Sequence, residues 1–144
     1  IDLGPEAGNK GGEIVYQGEL RASAKHGPSG AVVETDAPVD NHGRGEAFSP
    51  TDLCAASLGL CMLTILGIAA GKARVDISGS RGRVTKVMSG ELPRRIATIS
   101  VDLEIPLPPD HLSRADLEQA AMSCPVHHSL HPDIEKVINW QWTG

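Results

Sequence analysis

The longest apolar run in the chain sets its architecture. From Leu53 to Ala70, 18 residues pass without a charge, and Cys54, Ala55, Ala56, Ser57, Gly59, Gly67, Ala69 and Ala70 are interleaved with the leucines and isoleucines. The run sits at the lower edge of transmembrane length. Its many small and polar members lower its hydropathy, no aromatic belt frames it, and polar sequence flanks both ends. A helix that is apolar all round and not in lipid belongs inside a protein. We therefore expect a long, buried central helix. In so small a domain, covering it on every side calls for a second subunit. Ser49 as N-cap, Pro50 at the first helical position and Asp52 three residues after the cap mark its start, and Gly71 marks its stop.

Shorter alternations surround this helix. Glu13 to Ala24 places Ile14, Tyr16, Leu20 and Ala22 on one parity and predicts a strand with turn chemistry near Gln17-Gly18. A turn over Lys25–Gly30 leads to a second strand, Ala31–Thr35, so the chain starts as a hairpin behind a Gly-, Pro- and Glu-rich tail over residues 1–12. Asp36–Phe48 is a polar, glycine-containing loop, long enough that a function is expected of it. After the helix, Val75–Met88 reads as a strand interrupted around Gly79–Gly82. Arg95–Ile105 reads as another, with Ile99, Val101, Leu103 and Ile105 on one parity. Ser113-Arg114-Ala115-Asp116 resembles a second capping box and opens a helix that turns Leu117, Ala120 and Ala121 inward and runs to about Ser123. Cys124-Pro125 restarts the chain as a short helix to about Leu130, and Ile138, Trp140 and Trp142 alternate in a last strand. The order is not a repeating strand–helix–strand unit, so the fold class is α+β with antiparallel sheets around the buried helix. One domain spans residues 13–144.

Composition narrows the function. The chain has 144 residues, with 13 basic and 18 acidic side chains for a net charge of −5. That balance argues against nucleic acid or an anionic membrane as partner. Trp140, Trp142, Tyr16 and Phe48 are all its aromatics, too few for base-stacking or carbohydrate platforms. Three cysteines, an odd number without a Cys-x-x-Cys pair, do not make a disulfide scaffold or a zinc finger. No leader pattern is visible at Ile1–Pro5, and a reducing, cytoplasmic location is expected.

The cysteines are the candidate chemistry. Cys61 lies mid-helix, where a free cysteine commonly serves as a small core side chain. Cys54, two turns earlier on the same face, reads as packing. Cys124 precedes Pro125 at a helix start, where unpaired N–H groups and the helix dipole favour a thiolate. Cys61 and Cys124 could be a peroxidatic and resolving pair or two structural residues. His127, His128 and His131 follow Cys124, but only His127 and His131 are helical neighbours, which leaves a metal site there poorly supplied with ligands. A peroxide-reducing thiolate needs a fixed cation, and an acid to orient it. Arg44 in the long loop and Asp52 at the helix start are the candidates, although capping already explains Asp52.

Two segments carry a resemblance. Ser49-Pro50-Thr51-Asp52-Leu53, with Ala55-Ala56-Ser57-Leu58-Gly59-Leu60-Cys61, resembles the cysteine-bearing helix of the OsmC/Ohr family, and Ala121-Met122-Ser123-Cys124-Pro125-Val126-His127 resembles its second motif. The final Trp140-Gln141-Trp142 is also in keeping, and the likeness spans about residues 13–142. It implies an intertwined α+β homodimer with packed central helices and no metal or cofactor. It further implies that Cys61 attacks an organic hydroperoxide to give a sulfenic acid, that Cys124 closes a disulfide with it, and that a dithiol reductant resets the pair. The chain departs from the family's peroxidases at two points. Asp52 stands where they carry Glu, and Asn41 occupies the place of their activating Arg, leaving Arg44 as the nearest substitute. It is closer to the OsmC-like branch, and the alternative function is a non-catalytic dimeric binding or stress protein with structural cysteines.

Overall fold

The computed structural model describes residues 12–144. The tail expected over residues 1–12 lies outside the described residues except for Gly12, which already belongs to the first strand. The chain divides between Leu53 and Cys54 into two compact units, each with its own three-stranded sheet.

The first unit is an antiparallel meander of β1 (Gly12–Gly18), β2 (Arg21–His26) and β3 (Val32–Asp36). The turn expected near Gln17-Gly18 falls two residues later. Glu19 and Leu20 both have positive φ, 54° and 63°, the conformation of a primed two-residue hairpin turn. Sequence favours Asn-Gly or Asp-Gly there, so Glu-Leu gave no signal, and the single strand expected over Glu13–Ala24 is two. The β2–β3 register sets Arg21 opposite Asp36. The loop after β3 contains a short 3-10 turn, Val39–Asn41. It is closed by bonds from Gly43 N to Pro38 O (3.0 Å) and Gly45 N to Ala37 O (3.2 Å). A Cβ at Gly43 would run into Ala37. Ile14, Val15, Tyr16, Val32 and Val33 are exposed, so apolar side chains stand uncovered on both faces of this sheet.

Helix α1 (Pro50–Lys72) starts in the first unit and continues into the second. It starts as expected: Ser49 N donates to Asp52 Oδ2 and Asp52 N donates to Ser49 Oγ, both at 3.0 Å, a reciprocal capping box. It is long and apolar enough to cross a membrane, with a mean hydropathy of 2.2 over 18 residues. One face nevertheless packs into protein, with Ala55, Leu58, Gly59, Met62, Leu66 and Ala70 buried. Burying each of Leu58, Met62 and Leu66 is worth about 1.5–3 kcal/mol. Within the single chain, Leu60 (67% exposed) and Ile68 (53%) face outward, so one chain does not cover the helix on every side.

The second unit adds β4 (Arg81–Met88), β5 (Ile96–Ile105), α2 (Arg114–Met122), α3 (Pro125–Ser129) and β6 (Glu135–Trp142). Val75–Ser80 is irregular, with a turn at Ser78-Gly79, rather than strand. Strand β5 is central, and Ile99, Val101, Leu103 and Ile105 are fully buried as their parity predicts. The expected antiparallel pairing holds for β4–β5 but fails for β5–β6, which run parallel. The reason is the connection: α2 and α3 carry the chain back to the start of the sheet, as parallel neighbours require. Leu117 and Ala121 of α2 are buried. The second capping box does not form: Ser113 makes no side-chain cap and sits in helical backbone, while its N–H donates to His111 Nδ1 at 3.1 Å.

Candidate functional site

The two thiols singled out by sequence meet in the second unit. Cys61 is carried by α1 at the margin of its buried face, half-buried and packed against the core. Cys124 is the N-cap of α3, fixed by Pro125 at the first helical position. Its side chain is buried. Its Sγ accepts from His127 N at 3.3 Å, its N–H donates to Ala121 O and its carbonyl accepts from His128 N, each at 3.3 Å. The Cys61 side chain, packed against the core that includes Cys124, lies close enough to act on it.

This arrangement corrects the expectation that the helix start makes Cys124 a thiolate. Burial, and then the neighbouring Cys61 side chain, push the Cys124 thiol up; the His127 and Val126 N–H groups pull it down and do not prevail. Desolvation of a sulfur anion outweighs a few amide dipoles. Cys54 is also corrected: it is exposed, and the packing role expected for it is not met.

The histidines separate by environment. His127 is half-buried, and burial, then Lys136 and His128, hold its imidazole below the ordinary histidine range. Its Nδ1 is buried with no hydrogen-bond partner among the described residues. His128 meets it edge-on, ring centroids 5.4 Å apart. His131 Nδ1 accepts from Asp133 N at 3.0 Å. Among the described residues, no group of three His, Cys, Asp or Glu side chains could hold a metal ion.

Arg44 and Asp52 lie in the first unit, each with local partners. Arg44 is 66% exposed and reaches Glu19 at 4.0 Å, and Asp52 is engaged in the α1 cap. Sequence reasoning missed Arg21. Its guanidinium lies 3.6 Å from Asp36, whose side chain is 1% exposed, and it also pairs closely with Glu46. Asp36 Oδ2 accepts from Glu46 N at 3.1 Å, so strand and loop converge on one arginine. The register of β2 against β3 creates this pair, and the turn over Lys25–Gly30 alone did not specify that register.

Fold and thiols define the class: an α+β protein with a long apolar helix whose Cys61 lies close to a further cysteine, Cys124, at the cap of a short helix. The chain belongs to the OsmC-like protein family, whose sequence model matches residues 43–138. It is similar, at 45% identity and a TM-score of 0.84, to a crystal structure from Psychrobacter arcticus assigned to osmotic stress and detoxification response, with 90% of this chain and 93% of that one covered. An OsmC-like protein from Mycoplasma pneumoniae shares the fold at 16% identity and a TM-score of 0.74, covering 92% and 96%. So does an organic hydroperoxide resistance protein from Legionella pneumophila, at 14% identity and 0.68, covering 90% and 96%. No protein of curated function matches the sequence.

Proposed function

We propose that the protein is a thiol-dependent peroxidase that reduces organic hydroperoxides. Cys61 attacks the terminal peroxide oxygen, the O–O bond breaks, the alcohol leaves, and Cys61 becomes a sulfenic acid. Cys124 then attacks the Cys61 sulfur, the S–O bond breaks, water leaves, and a disulfide closes; a dithiol reductant restores both thiols. The observation that carries this reading is the approach of Cys61 to Cys124, which lie far apart in sequence. Names of structural relatives that refer to hydroperoxide resistance support it. Arg44 with Asp52 is the cation and acid the sequence offers for activating peroxide, and Arg21, held by Asp36 and Glu46, is a more firmly fixed cation. The uncovered Leu60 and Ile68 on α1, with the apolar residues on both faces of the first sheet, support a homodimer. Three free cysteines suit a reducing cytoplasm.

The test is the thiol state after one equivalent of cumene hydroperoxide, with hydrogen peroxide alongside. A rapid two-hydrogen mass loss mapped to Cys61–Cys124, faster with the organic peroxide and absent in Cys61→Ser, is expected. Three free thiols after an hour would overturn the reading. A second reading, a non-catalytic binding dimer, is favoured by one observation: burial of Cys124 in its thiol form, as befits a packing residue.

A further inference from the structure

The outer face of the second sheet carries a site that the proposed cycle leaves unused. Gly82 and Leu103 point inward: a Cβ at Gly82 would lie 3.4 Å from the Leu63 side chain of α1 and 3.5 Å from that of Leu103. Strand alternation then turns Arg81 and Arg83 of β4, with Asp102 and Glu104 of β5, to the opposite face. That face looks away from α1 and from the core that holds Cys124. Asn139 and Gln141 of β6 share it, since Trp142 on the other parity is buried. The register arranges these six side chains in two rungs: Arg81, Glu104 and Gln141 form one, and Arg83, Asp102 and Asn139 the other. Each rung runs from cation to carboxylate to amide. Together they line a cavity of about 660 Å³, a size that holds small ligands.

Opposite charges on facing strand positions favour ion pairs, and here the pairs are not made. Asp102 Oδ1 accepts instead from Asn139 Nδ2 at 2.8 Å. Among the described residues neither the Arg81 nor the Arg83 guanidinium has an ion pair or hydrogen bond, and the Glu104 carboxylate has none either. The lining is electrically balanced, two cations against two carboxylates. A simple anion drawn to the arginines meets the β5 carboxylates one strand spacing away, about 4.8 Å, and a simple cation meets the reverse. A molecule bearing both charges at about that separation satisfies both columns. Two extended residues span up to about 7 Å, enough for the ends of a dipeptide to reach both; a single α-amino acid is about half as long.

We propose that this face binds a short peptide with free termini. Its carboxylate lies on Arg81 and Arg83, its ammonium lies on Glu104 and Asp102, and Asn139 holds Asp102 in place. The site stands on the face opposite the thiols and does not depend on the peroxidase reading.

The experiment is a titration of the isotope-labelled full chain with dialanine, followed by amide NMR shifts. Saturable shifts at millimolar ligand are expected at residues 81–83, 102–104 and 139–141. N-acetyl-dialanine lacks the ammonium and dialanine amide lacks the carboxylate. Each should bind at least about tenfold more weakly, as the loss of a charge-assisted hydrogen bond brings. Arg81→Gln combined with Arg83→Gln should weaken dialanine by a similar factor while the thermal midpoint changes little, as for exposed side chains. Should that variant fail to fold, Glu104→Gln takes its place, and the blocked peptides test the wild type without any substitution. Equal binding of blocked and free peptides, shifts that map elsewhere, or no saturable shift would overturn the proposal.

Discussion

Cys61 and Cys124 lie close to each other, the first half-buried on α1 and the second sealed at the cap of α3. Thiol reagents should distinguish these sites, because reactivity follows exposure and thiolate character. With iodoacetamide at pH 7 and site-resolved mass spectrometry, the exposed Cys54 should label first and Cys124 last, about tenfold or more behind it. Labelling of Cys124 at the rate of Cys54 would mean that the pair is open to solvent in the native protein.

The same environments give stability a two-sided pH dependence. Cys124 has a raised folded pKa, so its contribution is intact below the unfolded thiol value of about 8.5 and is lost as pH rises through the folded one. His127 has a lowered folded pKa, so its contribution is intact above about pH 6.5 and is lost as pH falls through the folded value. Urea midpoints under reductant should therefore decline on both sides of neutrality. The alkaline decline should weaken in Cys124→Ser and the acid decline in His127→Gln.

Gly59 is where α1 comes close to the second sheet. A Cβ there would lie 2.6 Å from Val84 Cγ2. Gly59→Ala should cost about 1–3 kcal/mol, the usual range for overpacking, despite alanine's higher helix propensity. Val84→Ala in the same chain should recover part of the loss. Denaturation of the two single variants and the double variant would reveal the coupling, and strictly additive losses would count against the close contact.

The two arginines of the first unit should behave differently. Arg44→Met breaks an exposed 4.0 Å pair with Glu19 and should change stability by at most about 1 kcal/mol. Arg21→Met removes the cation beside the Asp36 carboxylate, which is 1% exposed, has Oδ1 unpartnered and keeps the bond from Glu46 N. It should cost about 3 kcal/mol, as removing one partner of a buried pair does. Hydroperoxide consumption measured on both variants, at temperatures where each is folded, tests whether either arginine contributes to it.

Asp52 has a structural role whatever its part in catalysis. Asp52→Ala removes the acceptor for Ser49 N and should lower thermal stability by about 1 kcal/mol or more. If hydroperoxide consumption by the folded variant is unchanged, Asp52 is a cap and not an orienting acid.

The capping box at Ser49 and Asp52, the apolar run of α1 and the buried parity of β5 were all legible in the chain, because hydrogen bonding across a helix turn and alternation along a strand are local. So were both redox-candidate cysteines, each within a short motif. Three features were not. The Glu19-Leu20 turn lacks the residues that announce left-handed backbone, and the register joining Arg21 to Asp36 arises from pairing between two strands, which neither shows alone. The parallel β5–β6 pairing depends on the path of a whole helical connection, and strand alternation looks the same in either direction.

The sequence by itself thus determined the elements and supplied the thiols. Tertiary structure decided what those thiols are. It brought Cys61 to Cys124, left Cys54 outside, and placed Cys124 where burial outweighs the helix start that would otherwise favour its anion. Proximity and desolvation arise only when distant segments pack together, and no stretch of chain encodes them alone.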